Sequence, residues 1–190
     1  MIIEEALIEA PQGIHVRLLF QDEGRFGRIS DRRRCWAPAP SRPVVGQQVV
    51  REFLYAMVAV SPLDGDISSL VMPWVDAEVM SIFLAHTSEM FKKEFCLMFL
   101  DGAGWHRANN LRVPHNMKLL WLPPYSPELN PVEHIWEYVR ENSFGNKSFD
   151  SLDDVKDLLC SSLVTLEQQP NIVRSLTSFD WFNTLHLSSN

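Results

Sequence analysis

The chain has 190 residues and a formal net charge of −7; 46% of its residues are hydrophobic and 22% are charged. This length suits a single domain, and the composition excludes a disordered or fibrous protein and one that coats nucleic acid through bulk charge alone. The apolar runs are much shorter than the ~20 residues that span a bilayer, and the N-terminus carries glutamates where a secretory signal carries basic residues, so we expect a cytoplasmic protein with no membrane segment.

The first predicted elements are three strands. Alternating apolar residues predict the first strand over residues 14–20. Gly24 and Gly27 then predict a turn, and the arginine-rich segment after them predicts a second strand that ends near Trp36. A third, apolar strand over residues 53–60 completes an antiparallel meander.

The second half of the chain alternates helices with buried strands. Asp76 predicts the N-cap of a helix, and the uniformly apolar residues 95–100 predict a central strand that is covered on both faces. A short strand over residues 119–122 follows, and two more helices are predicted to begin near Pro131 and after Ser151. This order of elements predicts an α/β fold, with a mixed sheet and helices on both of its faces.

Three carboxylates follow buried runs of the chain. Asp22 lies just past the first strand, Asp101 ends the central strand, and Glu133 begins the helix after the last strand. Because ligands of such sheets collect beyond the carboxyl ends of central strands, we expect the three side chains to meet at one edge of the sheet. Crowded carboxylates repel one another unless cations lie between them, and pairs of divalent ions serve enzymes that break and join phosphodiester bonds.

Each carboxylate also has a structural interpretation. Asp22 suits an ordinary turn. Asp101 precedes a Gly-Ala-Gly sequence, but a dinucleotide-binding fingerprint needs a third glycine where Arg107 stands. Glu133 suits the third position of a helix with Asn130 as its N-cap, where the Glu133 side chain would reach back to a main-chain amide. Loss of a cap costs about 1 kcal/mol of stability, whereas loss of a metal ligand should abolish turnover, so substitution separates the two interpretations.

Positive charge is concentrated in one segment. Residues 25–51 carry seven arginines against one acid, a local net charge of +6 in an acidic chain. Such a segment is either a solvated strand edge or a surface that contacts DNA phosphates without reading their sequence. We predict DNA contacts for Arg25, Arg28, Arg32, Arg33 and Arg34.

His106 and Arg107 follow Asp101 closely and complete the predicted DNA-binding set, since they would lie near a scissile phosphate. His134 stands next to Glu133 and has the same two interpretations as His106. For a single histidine, a hydrogen-bonded structural role is the more frequent alternative.

Three sequence blocks resemble the catalytic domain of DDE transposases, in the branch of bacterial insertion sequences related to mariner elements. The blocks are FQDEGRFG at residues 20–27, LMFLDGAGWHRA at residues 97–108 and WLPPYSPELNPVEHIWEYVR at residues 121–140. The last block is the most specific, and the 31 residues between Asp101 and Glu133 suit the family. Gly102 is a departure, because the family often has Asn at this position.

The resemblance implies a ribonuclease-H-like fold in which Asp22, Asp101 and Glu133 form the DDE triad and hold two Mg²⁺ or Mn²⁺ ions. It implies hydrolysis at transposon ends followed by strand transfer into target DNA. The implied partners are DNA, a second copy of the chain in a homodimer, and a helix-turn-helix half that binds the transposon ends. Family members usually carry that half upstream, so we expect residues 1–190 to be a single catalytic domain that lacks it.

Two other functions compete with this interpretation. One is an inactive remnant that keeps the fold and acts only through protein–protein contacts, although all three acids are retained. The other is a general nuclease on the same fold with no transfer step, which the block at residues 121–140 disfavours.

Overall fold

The computed structural model describes residues 10–124 and 126–179. Its centre is a five-stranded mixed sheet with the order β3-β2-β1-β4-β5. The strands are β1 (Val16–Ile29), β2 (Val49–Val60), β3 (Ile67–Met72), β4 (Phe95–Leu100) and β5 (Met117–Trp121). β1, β2 and β3 form an antiparallel meander, whereas β4 runs parallel to both β1 and β5.

Helices cover both faces of the sheet. The α-helices of the described ranges are α1 (Ala77–Met90), α2 (Val132–Val139), α3 (Leu152–Glu167) and α4 (Pro170–Thr177). α1 packs on the face that carries Leu19 and Met98, and α2 and α3 pack on the face that carries Leu18 and Leu97. The predicted mixed sheet with helices on both faces is confirmed. Within residues 10–124 and 126–179, no helix is both long enough and apolar enough to cross a membrane.

Several predicted elements form for the predicted reasons. All six residues of β4 are buried, as expected of a central strand. The side chain of Asp76 accepts hydrogen bonds from two main-chain amides at the start of α1. Ser151 and Asp154 form a reciprocal capping box at the start of α3.

β1 differs most from its prediction. It does not end before Asp22 but continues to Ile29, so the predicted turn at Gly24 and Gly27 is wrong. A Cβ atom at Gly24 would lie 2.8 Å from Cδ2 of Trp136, and one at Gly27 would collide with the carbonyl oxygen of Glu52. These glycines therefore allow close packing along a strand that continues past them, rather than a turn between two strands.

The arginine-rich segment also differs from its prediction. Residues 30–48 form no helix or strand, so the predicted second strand reaching Trp36 is wrong. The ends of this segment are joined, because the main-chain amide of Ser30 donates to the carbonyl oxygen of Gln48. The third strand of the meander is β3, which was not predicted.

A buried arginine fastens the opposite end of β1. The side chain of Arg17 is 9% exposed and donates to Glu94, just before β4, and to Asp64 and Asp66, in the connection between β2 and β3. Its guanidinium also lies over the ring of Phe91. The hydrogen bond from Arg17 holds the pKa of Glu94 below its ordinary value.

Candidate active site

β1 brings Asp22 level with the end of β4. Phe20 pairs with Phe99 in the parallel ladder, so the same register continued by two residues places Asp22 beside Asp101. Asp22 lies within β1 and pairs with Val58 of β2, and the prediction that it follows the end of the strand is wrong. Because side chains alternate along a strand, Asp22 shares the face of Phe20, on which α2 packs.

The three predicted acids line one cleft. The cleft has a volume of about 450 Å³ and is lined by Asp22, Asp101, Gly102, Ala103, Leu122, Pro123, Pro124, Ser126, Pro127, Asn130 and Glu133. Asp22 is half-buried, whereas Asp101 and Glu133 are exposed. The fold thus brings together side chains from a strand, the end of a neighbouring strand and the start of a helix. Their role as metal ligands stays a prediction.

Asp22 lies close to other negatively charged side chains. Its Oδ2 atom accepts a hydrogen bond of 2.9 Å from Nε1 of Trp136. Burial raises the pKa of Asp22 to about 7; the Trp136 hydrogen bond opposes this increase, and the charges of Glu133 and Glu23 add to it. A cation in the cleft would favour the ionised carboxylate.

Asn130 positions the start of α2. Its Oδ1 atom accepts from the main-chain amide of Val132 at 3.2 Å, and its Nδ2 atom donates to the carbonyl oxygen of Gln21 in β1 at 3.0 Å. The helix begins at Val132, one residue later than predicted. The Glu133 carboxylate accepts no hydrogen bond from the described residues, so the return bond of the capping interpretation is not formed.

His106 joins Asp101 to an acid that was not predicted. The side chain of His106 is 1% exposed. Its Nδ1 atom lies 2.9 Å from Oδ1 of Asp101, and its Nε2 atom lies 2.9 Å from Oε1 of Glu23. Burial by itself would lower the pKa of His106, but the hydrogen bond and charge of Glu23, with Asp101, raise it above its ordinary value.

The predicted DNA-binding arginines fall into two groups. Arg28 donates to the carbonyl oxygen of Phe149 and to Glu52, and Arg33 donates to Asp31, so both support the local structure. The exposed side chains are those of Arg25, Arg32 and Arg34. Arg107 lies in a short 3-10 helix, Gly104–Arg107, and its side chain is outside the described part of the molecule. DNA contacts of the whole set stay predictions.

Glu23 and Trp136 belong to the site without having been predicted. Strand alternation identifies Glu23, because the residue after Asp22 must face the other side of the sheet. Helical spacing places Trp136 one turn after Glu133 on the same side of the helix, but it does not indicate the contact of Nε1 with Asp22. Both signals depend on knowing that β1 continues beyond Phe20.

The donor set suits a hard divalent cation, since Mg²⁺ prefers carboxylate oxygens. Among the described residues, no group of three or more His, Cys, Asp or Glu side chains is arranged to hold a metal ion as it stands. Closure around an ion therefore requires side-chain movement. Glu133 is exposed, and no described contact holds its carboxylate in place.

Residues 17–156 match the family model of the DDE superfamily endonucleases. The chain is 38% identical over 128 residues to the uncharacterized protein y4pE/y4sA of Sinorhizobium fredii (strain NBRC 101917 / NGR234), an alignment that covers 67% of this chain and 95% of that protein. It is 26% identical over 133 residues to the transposable element Tcb2 transposase of Caenorhabditis briggsae, covering 62% of this chain and 42% of that protein.

Solved structures of the Mos1 transposase share the fold. The Mos1 strand transfer complex is similar with a TM-score of 0.55 and 16% identity, over 86% of this chain and 55% of that chain. The Mos1 paired-end complex with the left transposon end is similar with a TM-score of 0.57 and 15% identity, over 88% of this chain and 57% of that chain. The chain thus spans about half the length of these transposases, and the expected ribonuclease-H-like fold is confirmed. Given a family match over residues 17–156, the chain belongs to the DDE superfamily endonucleases.

Proposed function

We propose that the chain is the catalytic domain of a transposase that cleaves DNA at transposon ends and joins the ends to target DNA, in the insertion-sequence branch related to mariner elements. The observation that carries the proposal is the convergence of Asp22, Asp101 and Glu133 on one cleft from three separate elements. The family match and the Tcb2 relative support DNA as the substrate.

Two Mg²⁺ or Mn²⁺ ions are the proposed cofactors, held by the three carboxylates. When bound in pairs, such ions supply activation of the attacking water or 3′-hydroxyl and stabilisation of the leaving oxygen. The chain's own contribution is placement: the β1 ladder fixes Asp22, and Asn130 fixes the start of the helix that carries Glu133. Mos1 complexes solved with Mn and with Mg support this choice of ions.

The proposed partners are transposon-end DNA, target DNA, a helix-turn-helix half that recognises the ends, and a second copy of the chain. The exposed arginines between β1 and β2 would contact phosphates and hold the duplex without reading its sequence. Recognition of particular ends is therefore assigned to the helix-turn-helix half, not to the described cleft.

Nicking of a supercoiled plasmid by the purified chain, with Mn²⁺ or Mg²⁺, tests the proposal. We expect metal-dependent nicking that falls to the metal-free level in Asp22→Asn, Asp101→Asn and Glu133→Gln. The matched control is Glu137→Gln, which neutralises an exposed acid one helical turn after Glu133 and should nick like the parent. Parent-like nicking by Asp22→Asn, or a parent without metal-dependent nicking, would contradict the proposal.

The same samples distinguish the competing functions. A general nuclease would nick the plasmid but would not join a labelled 3′-hydroxyl end to it. An inactive remnant would neither nick DNA nor release heat when titrated with Mn²⁺. We expect nicking, joining and Mn²⁺ binding together, with Mn²⁺ binding lost in Asp101→Asn.

A further inference from the structure

We infer that Glu23 and His106 are positioning residues that fix the carboxylate of Asp101 for metal binding. The inference rests on the proposed function, because it assigns a support to one of the proposed ligands. Neither residue needs to touch the metal or the DNA in order to act in this way.

The two oxygens of Asp101 differ in their contacts. Oδ1 accepts a hydrogen bond of 2.9 Å from the main-chain amide of Ala103 and lies 2.9 Å from Nδ1 of His106. Oδ2 makes no hydrogen bond to the described residues. One oxygen is therefore held by the protein, and the other is left for a ligand in the cleft.

Asp101 depends on these bonds for its orientation. Its side chain is 59% exposed, and it is the first residue after β4, where the ladder no longer fixes the chain. Packing cannot restrain a side chain so exposed. The hydrogen bond from Ala103 and the close approach of the His106 imidazole to Oδ1 are thus the described contacts that select its direction.

The imidazole of His106 is itself held at both ring nitrogens. The ring is buried. Nδ1 hydrogen-bonds to the main-chain carbonyl oxygen of Asp101 at 3.1 Å and lies 2.9 Å from Oδ1 of the same residue, and Nε2 lies 2.9 Å from Oε1 of Glu23. The same Glu23 oxygen accepts a hydrogen bond of 3.0 Å from Nε2 of Gln21, whose side chain is also buried. The chain of contacts from β1 to Asp101 is therefore continuous, and Gln21 and His106 within it are shielded from solvent.

In this arrangement, two adjacent residues of β1 contribute to the same cleft, one directly and one through another side chain. Asp22 enters the cleft directly from the face covered by α2. Glu23 leaves the strand on the opposite face and acts on Asp101 through His106. Such supports of metal ligands commonly contribute 10- to 100-fold in metal affinity or activity.

Calorimetric titration of the full chain with Mn²⁺, without DNA, tests the inference. We expect His106→Ala and Glu23→Ala to weaken Mn²⁺ binding by about 10- to 100-fold. His106→Asn should recover part of the affinity, because its side-chain amide can donate to Asp101 from the position of Nδ1. The control is His134→Ala, an exposed histidine beside Glu133 that contacts the carbonyl oxygen of Leu176 and should bind Mn²⁺ like the parent.

A second measurement separates positioning from general damage. In plasmid nicking, the Mn²⁺ concentration that gives half the maximal rate should rise in the variants, whereas the affinity of Glu23→Ala for duplex DNA should stay at the parent value. Circular dichroism shows whether each variant is folded. If His106→Ala does not fold, the Mn²⁺ affinities of Glu23→Ala and His106→Asn decide whether the inference holds.

Parent-like Mn²⁺ affinity in a folded His106→Ala or Glu23→Ala variant would overturn the inference while leaving the proposed function intact. A different result marks failure of the proposed function itself: a parent that binds no Mn²⁺, or an Asp101→Asn variant that binds it as the parent does. The inference would then fall with the metal site that it serves.

Discussion

Gly24 leaves the space that the indole of Trp136 occupies above β1. A Cβ atom at this position would lie 2.8 Å from Cδ2 of Trp136 and 2.8 Å from Cε2 of Phe26. Gly24→Ala should therefore displace the indole and break its hydrogen bond to Asp22. We expect the free energy of unfolding to fall by about 1–3 kcal/mol, measured by urea denaturation, together with a loss of nicking.

The matched control is Gly46→Ala. Gly46 lies in the segment between β1 and β2, and a Cβ atom there would meet no atom within 4 Å. This variant should keep the stability and the nicking of the parent. Equal behaviour of the two alanine variants would show that the packing of Trp136 on Gly24 does not support the site.

Some residues of the site can be predicted from the sequence and others cannot. Asp101 and Glu133 stand at a strand end and a helix start, where position in the chain suggests an edge of the sheet. Trp136 has the period of a core residue and gives no sign that its Nε1 atom serves Asp22. Contacts between distant elements of this kind become visible only when the register of β1 is known.

The contacts of Arg17 join several elements of the fold, and their contribution to the free energy of unfolding should depend on pH. Because the folded-state pKa of Glu94 is lowered, its contribution to stability is complete above the unfolded-state value of about 4.3 and is lost as the pH falls through the lower folded-state pKa. Glu94→Gln should reduce the free energy of unfolding by about 1 kcal/mol at pH 7, since solvent screens part of the interaction. Urea denaturation should show this difference shrinking below pH 4.

Glu89→Gln is the control for that experiment. Glu89, in the last turn of α1, pairs with Lys92, just past the end of the helix, and both side chains are largely exposed. Exposed pairs contribute little, so this variant should match the parent at both pH values. A Glu94→Gln variant with parent stability at pH 7 would contradict a stabilising role for the Arg17 contacts.

The hydrophobic pattern of a sequence predicts a helix or strand best when the whole segment lies in one kind of environment. β4 is buried on both faces, and its six apolar residues show it directly. β3 has two serines in its centre, and their polarity is met by partners far away in sequence: Ser68 bonds to Thr87 of α1, and Ser69 to Glu167 of α3. Local composition therefore gives no signal for β3, just as the glycines of β1 give a false one.

Charge over the whole molecule is divided between an acidic body and a basic segment. Arg32 and Arg34 are exposed on residues 30–48, which carry four arginines in a chain whose net charge is −7. If both contact phosphates, Arg32→Ala/Arg34→Ala should lower the slope of log affinity against log salt by about 2. Fluorescence anisotropy of a labelled duplex at several salt concentrations measures this slope.

The control is the double variant Lys92→Ala/Lys156→Ala, which removes the same total charge from two exposed positions outside the segment. It should keep the parent slope. Equal reductions in both double variants would show that overall charge, and not the segment between β1 and β2, governs DNA binding.

Asp22 and Glu23 are neighbours whose side chains leave β1 in opposite directions, one toward Trp136 and the other toward His106. Deletion of one residue from the start of β1 would reverse these directions unless the whole strand re-paired. The glutamate would then enter the cleft in the place of Asp22, and Gly24, which has no side chain to meet the imidazole, would take the place of Glu23. The number of residues before Asp22 in β1 is thus as much a part of the site as the acids themselves, whereas residues 30–48 can change in length without this effect.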